Sequence, residues 1–307
     1  MSIITAAVLA ALNTALKKNY EDAYKAMRAE SVFERISTTV PSSTASNTYG
    51  WLGDFPALRE WVGDRVLKDM KASGYQITNK LYEGSVGVPR VAIEDDQVGV
   101  YAPLAASMGQ EAAQHPDRLI AQLLAAGPTS LCFDGQNFFD VDHPVYPNVD
   151  GTGAAATVSN YNAGGGAPGP AWYLLDTRKP LRPIIFQERT KPEFETKTNP
   201  ATSDKVFTAD LYQYGVRYRC NAGFAFWQMA YCSKAALTAA NFAAARLAMR
   251  KFTADGGRPL GINPSVILVS PDNEAAARAL FEAMLIDGGN SNPNYKAVEV
   301  IVSPWLV

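Results

Sequence analysis

The chain has 307 residues, of which 47% are hydrophobic and only 19% charged, and its formal net charge is −2. That length allows one large or two medium domains with a sizeable core. A slightly acidic balance with no Lys/Arg run excludes a protein whose main task is gripping nucleic acid, because phosphate neutralisation supplies that affinity.

The elements follow in chain order. Leu9, Leu12, Leu16 and Tyr20 form a helical stripe, with Lys17, Lys18, Glu21 and Asp22 off it, so residues 1–28 read as an amphipathic helix that must dock on something. The apolar run at residues 3–12 is about half the length a spanning helix needs and lacks a basic leader, so neither a membrane segment nor a signal peptide is expected. Residues 31–55 are rich in Ser, Thr and Gly and show no helical period. They read as extended, lying along another surface such as a neighbouring subunit. Tyr75, Ile77, Asn79 and Leu81 alternate at the strand period. Residues 58–93 therefore read as a long hairpin-like loop, which needs a platform because two strands alone are marginal.

Residues 97–127 are the clearest helical region, with Leu104, Met108 and Ala112 on one face. His115-Pro116-Asp117 predicts a break and a second helix from Pro116 that buries Leu119, Ile120, Leu123 and Leu124 and stops at Gly127-Pro128. Residues 131–150 are compact, aromatic and turn-rich, and 151–171, with Gly164-Gly165-Gly166, read as a flexible loop. Strands dominate 172–231, the VFTAD stretch at 206–210 included. A helix is expected over 236–254, burying Leu237, Phe242, Ala245, Leu247 and Met249. A buried strand follows at 265–271, then a helix capped by Asp272-Asn273 and running through 286, then a strand at 297–303. This order predicts a small α/β unit at the C-terminal end.

Chemistry is sparse. Cys132, Cys220 and Cys232 contain no CxxC pair and make no disulfide framework, so they read as reduced, buried thiols in a cytosolic setting. Asp140, Asp142 and His143 could hold a divalent ion, but a second ligand set is missing, and Asp-x-Asp-His-Pro is a good turn sequence. Glu94-Asp95-Asp96 is more simply a solvated turn or helix cap than an acid–base pair. Neither a Gly-x-Ser-x-Gly elbow nor a phosphate-binding loop occurs. No catalytic residue, cofactor or metal is expected. The aromatic residues Trp51, Phe55, Trp61 and Tyr75 lie where a self-contained core is least evident, and they predict burial against a second subunit, with local packing as the alternative. Arg59, Glu60 and Arg65 are assigned to the same contact.

Several long phrases carry a resemblance: SNTYGWLGDFPALREWVGDRV, GYQITNKLYEGSVGV, IEDDQVGVY, FDGQNFFDVDHPVYPNVDGTG, WYLLDTRKPLRPIIFQER, YGVRYRCNAGFAFWQMAY and GRPLGINPSVILVSP. In order, from about residue 30 to the end, they resemble the Mu-like phage major head subunit. The resemblance implies a non-enzymatic major capsid protein with the α+β, HK97-like capsid fold. It implies an N-terminal arm over 1–46, an extended loop over 47–95, a peripheral domain over 96–220 with a spine helix at about 100–126, and an axial α/β domain over 221–307. It further implies self-assembly into pentamers and hexamers of an icosahedral phage head in the host cytoplasm, enclosing double-stranded DNA without sequence-specific binding. A separate scaffolding protein, a maturation protease and a portal are the expected partners, and a decoration protein stays open. No covalent crosslink and no membrane are expected. The competing classes are an encapsulin-like compartment and, behind it, a metal-dependent hydrolase.

Overall fold

Leu12, Leu16 and Tyr20 are buried on one face of α1 (Ala6–Glu30) in the computed structural model, which describes residues 6–52, 74–94, 98–166 and 168–306. The stripe read from the sequence is the docking face. The chain then runs through a helical turn, α2 (Phe33–Ile36), the strands β1 (Ser37–Pro41), β2 (Ser46–Thr48), β3 (Gln76–Thr78) and β4 (Lys80–Pro89), and the short α3 (Arg90–Glu94) into the long α4 (Val98–Ala126). Beyond it come β5 (His143–Val145), β6 (Ala156–Val158), β7 (Tyr161–Asn162), β8 (Trp172–Leu175), β9 (Ile184–Lys197), α5 (Asp204–Ala209), β10 (Leu211–Phe224), β11 (Ala230–Ser233), α6 (Ala239–Arg250), β12 (Val266–Val269), α7 (Glu274–Phe281) and β13 (Glu299–Val302). Among the described residues no helix is long and apolar enough to cross a membrane.

The break expected at His115-Pro116-Asp117 does not occur. α4 is one helix with Pro103 and Pro116 inside it. An interior proline loses one backbone bond and costs about 3 kcal/mol. Here Pro116 is itself buried between the buried Ala113 and Ile120, so packing on both sides holds the helix together. The buried face also differs from the expected one. It runs Ala105, Gly109, Ala113, Pro116, Ile120 and Leu124, while Leu104 is 37% exposed. Small residues face inward because α1 comes very close: a Cβ on Gly109 would stand 2.3 Å from the Tyr20 carbonyl oxygen.

Four strands form a sheet in the order β1-β9-β10-β4, with β1 parallel to β9 and the other pairs antiparallel. The platform that the segment around residue 80 needs is therefore this chain's own β10, paired from Leu211 opposite Pro89 to Cys220 opposite Lys80. Of the stretch 31–55, expected to be extended, Ser37–Pro41 and Ser46–Thr48 are strands, Phe33–Ile36 is instead a helical turn, and β1 lies along this chain's β9. The VFTAD stretch is not a strand: α5 forms the end of the long β9–β10 hairpin, and Asp210, at φ 49°, turns the chain back. Asp tolerates that left-handed conformation better than most residues. Leu12, Leu16, Val88, Ala105, Val206, Tyr212 and Tyr214 make a separate small core beneath α1.

Five strands form the second sheet in the order β13-β12-β8-β11-β7. All four residues of β8 and of β12 are buried, as continuous apolar runs predict for inner strands. α6 and α7 meet through Phe242 and Phe281, whose ring centroids are 4.7 Å apart. The C-terminal α/β reading holds, but β7 and β8, which the sequence reading put in the 96–220 unit, are strands of this sheet. Nor is 151–171 one flexible loop: it contains β6 and β7, and Asn160 is fully buried. Leu247, expected inside, is 54% exposed. Asn273 makes no side-chain cap and instead donates to the Pro170 carbonyl at 2.8 Å, and α7 ends at Phe281 and not at 286.

Candidate functional site

Of the residues assigned to a subunit contact, Phe55, Arg59, Glu60, Trp61 and Arg65 lie outside the described residues. Tyr75 is turned into its own chain. Its hydroxyl oxygen accepts the Phe224 N–H at 2.7 Å, it packs against the main core, and burial pushes its phenol up to about 12. Within its own chain Tyr75 packs locally. Trp51 is divided: its ring meets Tyr49 edge-on at 5.8 Å and Phe226 at 6.3 Å, yet it stays 37% exposed. The bases of the intervening segment are tied together. β2 and β3 pair antiparallel, Ser46 opposite Thr78 and Thr48 opposite Gln76, and the Tyr49 N–H donates to the Tyr75 carbonyl at 2.9 Å. Residues 49 and 75 are thus held side by side.

A cavity of about 390 Å³ opens between α4 and the β4–β10 edge of the first sheet, lined by Tyr82, Met108, Glu111, His115, Arg118 and Tyr218. His115 sits edge-on to Tyr82 at 4.1 Å. Burial, reinforced by Arg118 and opposed by Glu111, lowers its imidazole to about 4.

A second polar cluster lies under the aromatic turn region. The sequence grouped Asp140, Asp142 and His143, and the structure separates them. The exposed Asp142 carboxyl meets Asp140, which raises Asp142, and Asp140 accepts the Asn137 and Val141 N–H groups as a turn residue does. His143 points the other way. It is fully buried, stacked on Trp227 at 4.0 Å and 10°, with Nδ1 2.7 Å from Asp134 Oδ2 and Nε2 3.2 Å from Asn160 Oδ1. Cys132 Sγ lies 3.0 Å from Asp134 Oδ1. The hydrogen bonds from His143 and Cys132 outweigh burial and lower Asp134. Cys132, Cys220 and Cys232 are all free and buried, with their thiols pushed up by burial. Asp95 and Asp96 lie outside the described residues.

The sequence profile of the Mu-like prophage major head subunit gpT matches residues 9–306. The chain belongs to that family. This gpT-family subunit is 44% identical to the major capsid protein of Escherichia phage Mu over 307 residues, 99% of this chain and 100% of the relative. Its structure superposes on the subunit in the procapsid of bacteriophage JBD30 with a TM-score of 0.87 and 53% identity, covering 99% of this chain and 100% of that one. For the JBD30 capsid decorated with minor capsid protein trimers, the TM-score is 0.75 at 37% identity, over 90% and 91% of the two chains.

A gpT-family head subunit is a structural protein and not an enzyme. This chain is a major capsid protein, forms the phage head shell and assembles into its lattice. Three residues that hold the subunit together escaped the sequence reading. Gly109 carried a signal, since small residues recur at Ala105, Gly109 and Ala113. Asp134 and Asn160 carried none, because their partners lie 9 and 17 residues away from them at His143.

Proposed function

We propose that the subunit builds an HK97-like icosahedral head of pentamers and hexamers in which the stretch between β2 and β3 reaches onto neighbouring copies. One observation carries this reading. The β2–β3 ribbon ties residues 46–48 to 76–78, so the sequence between them starts and ends at one place on the subunit. The intervening sequence is rich in large apolar residues, with Phe55, Leu58, Trp61, Val62, Val66, Leu67 and Met70. Large apolar side chains gain most when a second surface covers them, and tryptophan anchors dominate contacts between subunits. Residues 1–46 serve as the arm. The peripheral unit is α4 with the β1-β9-β10-β4 sheet, and the axial unit is the five-stranded sheet. The axial unit therefore draws on residues 131–177 as well as the C-terminal segment, which amends the simple division at 220.

Within the head the partners are a separate scaffolding protein, a maturation protease and a portal. The decorated JBD30 capsid supports minor capsid protein trimers as a further partner here. The net charge of −2 suits a container that encloses double-stranded DNA without adhering to it. Trp61→Ala, and separately Arg59 and Glu60 both to Ala, leave the subunit folded and prevent shell formation. Native mass measurement and electron microscopy of the particles decide, and normal shells from both variants refute the neighbour contact.

A further inference from the structure

Asn160 determines where a proton sits on His143. Its Nδ2 donates to the Phe138 carbonyl at 2.8 Å, and its Oδ1 accepts the Asp140 N–H at 2.9 Å. Backbone groups have fixed roles, so this amide cannot be flipped. His143 Nε2, 3.2 Å from that same Oδ1, must therefore carry the hydrogen. In a neutral ring Nδ1 is then a bare lone pair, and it faces Asp134 Oδ2 at 2.7 Å. The other oxygen of that carboxyl is occupied by the Gln136 N–H and the Cys132 thiol, both at 3.0 Å. Two lone pairs so close require a positive charge between them.

A proton supplies that charge and leaves Cys132 with only its Sγ hydrogen bond to Asp134 Oδ1. A transition metal uses all three side chains. One donor atom each from Cys132, Asp134 and His143 lies within 4.8 Å of the others. Imidazole nitrogen, carboxylate oxygen and thiolate sulfur are the donors that bind zinc-class ions. The remaining nitrogen of His143 is braced by an amide oxygen, as metal-bound imidazoles are braced by groups behind them. Cys132 and His143 are 6% and 0% exposed, so both are held in place by the surrounding core.

We propose that Cys132, Asp134 and His143 bind one zinc-class divalent ion, through Sγ, a carboxylate oxygen and Nδ1, with solvent as the fourth ligand. Around a tetrahedral ion with bonds of about 2.0–2.3 Å, neighbouring donors stand roughly 3.3–3.6 Å apart. The Asp134–His143 pair therefore opens by under about 1 Å on loading. The thiol gives up its proton to solvent as the metal–sulfur bond forms. Because that proton must leave, uptake weakens in acid. The bound ion pins the 131–145 turn region to the core beside Trp227.

Cobalt(II) is the probe. The full-length chain, stripped by chelator and dialysed, is titrated with Co²⁺ and followed by absorbance and bound-metal analysis. The expected result is one Co²⁺ per chain with a near-ultraviolet thiolate-to-cobalt band, and Cys132→Ser abolishes the band. Because Cys220 and Cys232 are also present, a band that survives Cys132→Ser overturns the proposal. Absence of saturable uptake, or uptake without the band, overturns it too and leaves a proton as the only charge between Asp134 and His143. His143→Gln removes a second ligand, and loss of the band in that variant supports the site where its far-ultraviolet circular dichroism matches the parent. Retention of the band there overturns it.

Discussion

The Asp117 carboxylate, deep in α4, accepts the backbone N–H of Phe33 at 2.7 Å. It also accepts the Val32 N–H at 3.1 Å and the Ser31 hydroxyl at 2.7 Å. The first N–H groups of a helical turn have no partner within it, and no side chain at the start of α2 supplies one. The long helix therefore caps, from 84 residues away, the turn that launches β1. Burial raises the Asp117 carboxyl, and these hydrogen bonds oppose that rise.

Asp117→Ala leaves those donors without an acceptor beside the buried Phe33. Hydrogen bonds to charged groups contribute about 1.5–3 kcal/mol, so the unassembled subunit should lose about 2–3 kcal/mol. Asp117→Asn keeps one acceptor oxygen and should lose less. Urea midpoints of the two variants, ranked against the parent, check this. An alanine variant within about 0.5 kcal/mol of the parent removes the cap from the account.

Gly109 sets the distance between α1 and α4. A Cβ there would press on the Tyr20 carbonyl at 2.3 Å, and both contacting groups are backbone held by helices. Gly109→Ala should therefore destabilise by about 1–3 kcal/mol, although alanine is normally the better helix former. Amide exchange of α1 should quicken along its buried stripe. Gly84→Ala is the control, since no atom lies within 4 Å of a Cβ placed there. Equal thermal midpoints for both variants show that the helices are not in backbone contact.

What the sequence made legible follows from which forces are local. The stripe Leu9, Leu12, Leu16 and Tyr20 repeats at the helical period, so α1 could be read directly, and the apolar run at 266–269 announced an inner strand. Pro116 misled because a local rule about helix interiors was overridden by burial on both sides of the ring. The contact of Tyr75 within its own chain was hidden for a related reason: its partner, the Phe224 N–H, lies 149 positions away. The same holds for His143, whose neighbouring aspartates made an attractive cluster while its partners are Asp134 and Asn160. Side chains that close long loops leave no periodic trace, and here they decide both the capping of β1 and the polar cluster.

His115 makes the α4–sheet packing sensitive to acid. Its imidazole titrates at about 4 in the folded chain against an ordinary value of 6.5. The unfolded chain therefore takes up the proton first as pH falls. The stability this neutral ring contributes is complete above pH 6.5 and is lost as pH falls towards 4. The charged groups facing it are Arg118 and Glu111, with Tyr82 and Tyr218 against the ring. Because the ring is partly open to the cavity, the loss is discounted to about 1–2 kcal/mol. His115→Phe keeps an aromatic ring and removes the titration. Its urea midpoint should fall less between pH 7 and pH 4.5 than that of the parent. Parallel pH profiles for the two proteins remove His115 as the cause.

Tyr75 separates folding from assembly. Tyr75→Phe keeps the ring in the core but leaves the Phe224 N–H facing a carbon atom where an oxygen stood 2.7 Å away. An orphaned buried donor costs about 1–3 kcal/mol. The Phe224 ring stacks on Phe138 at 4.0 Å, so strain at that backbone position is felt in the main core. The unassembled variant should therefore unfold at lower urea than the parent, and its shell yield should fall only as far as that lost stability dictates. A variant as stable as the parent that still fails to form shells would return Tyr75 to the subunit contact and show that its hydroxyl is used between copies. Trp61→Ala should give the opposite pattern of effects. The two substitutions measured side by side thus divide the aromatic set into residues that complete the subunit and residues that join it to the next.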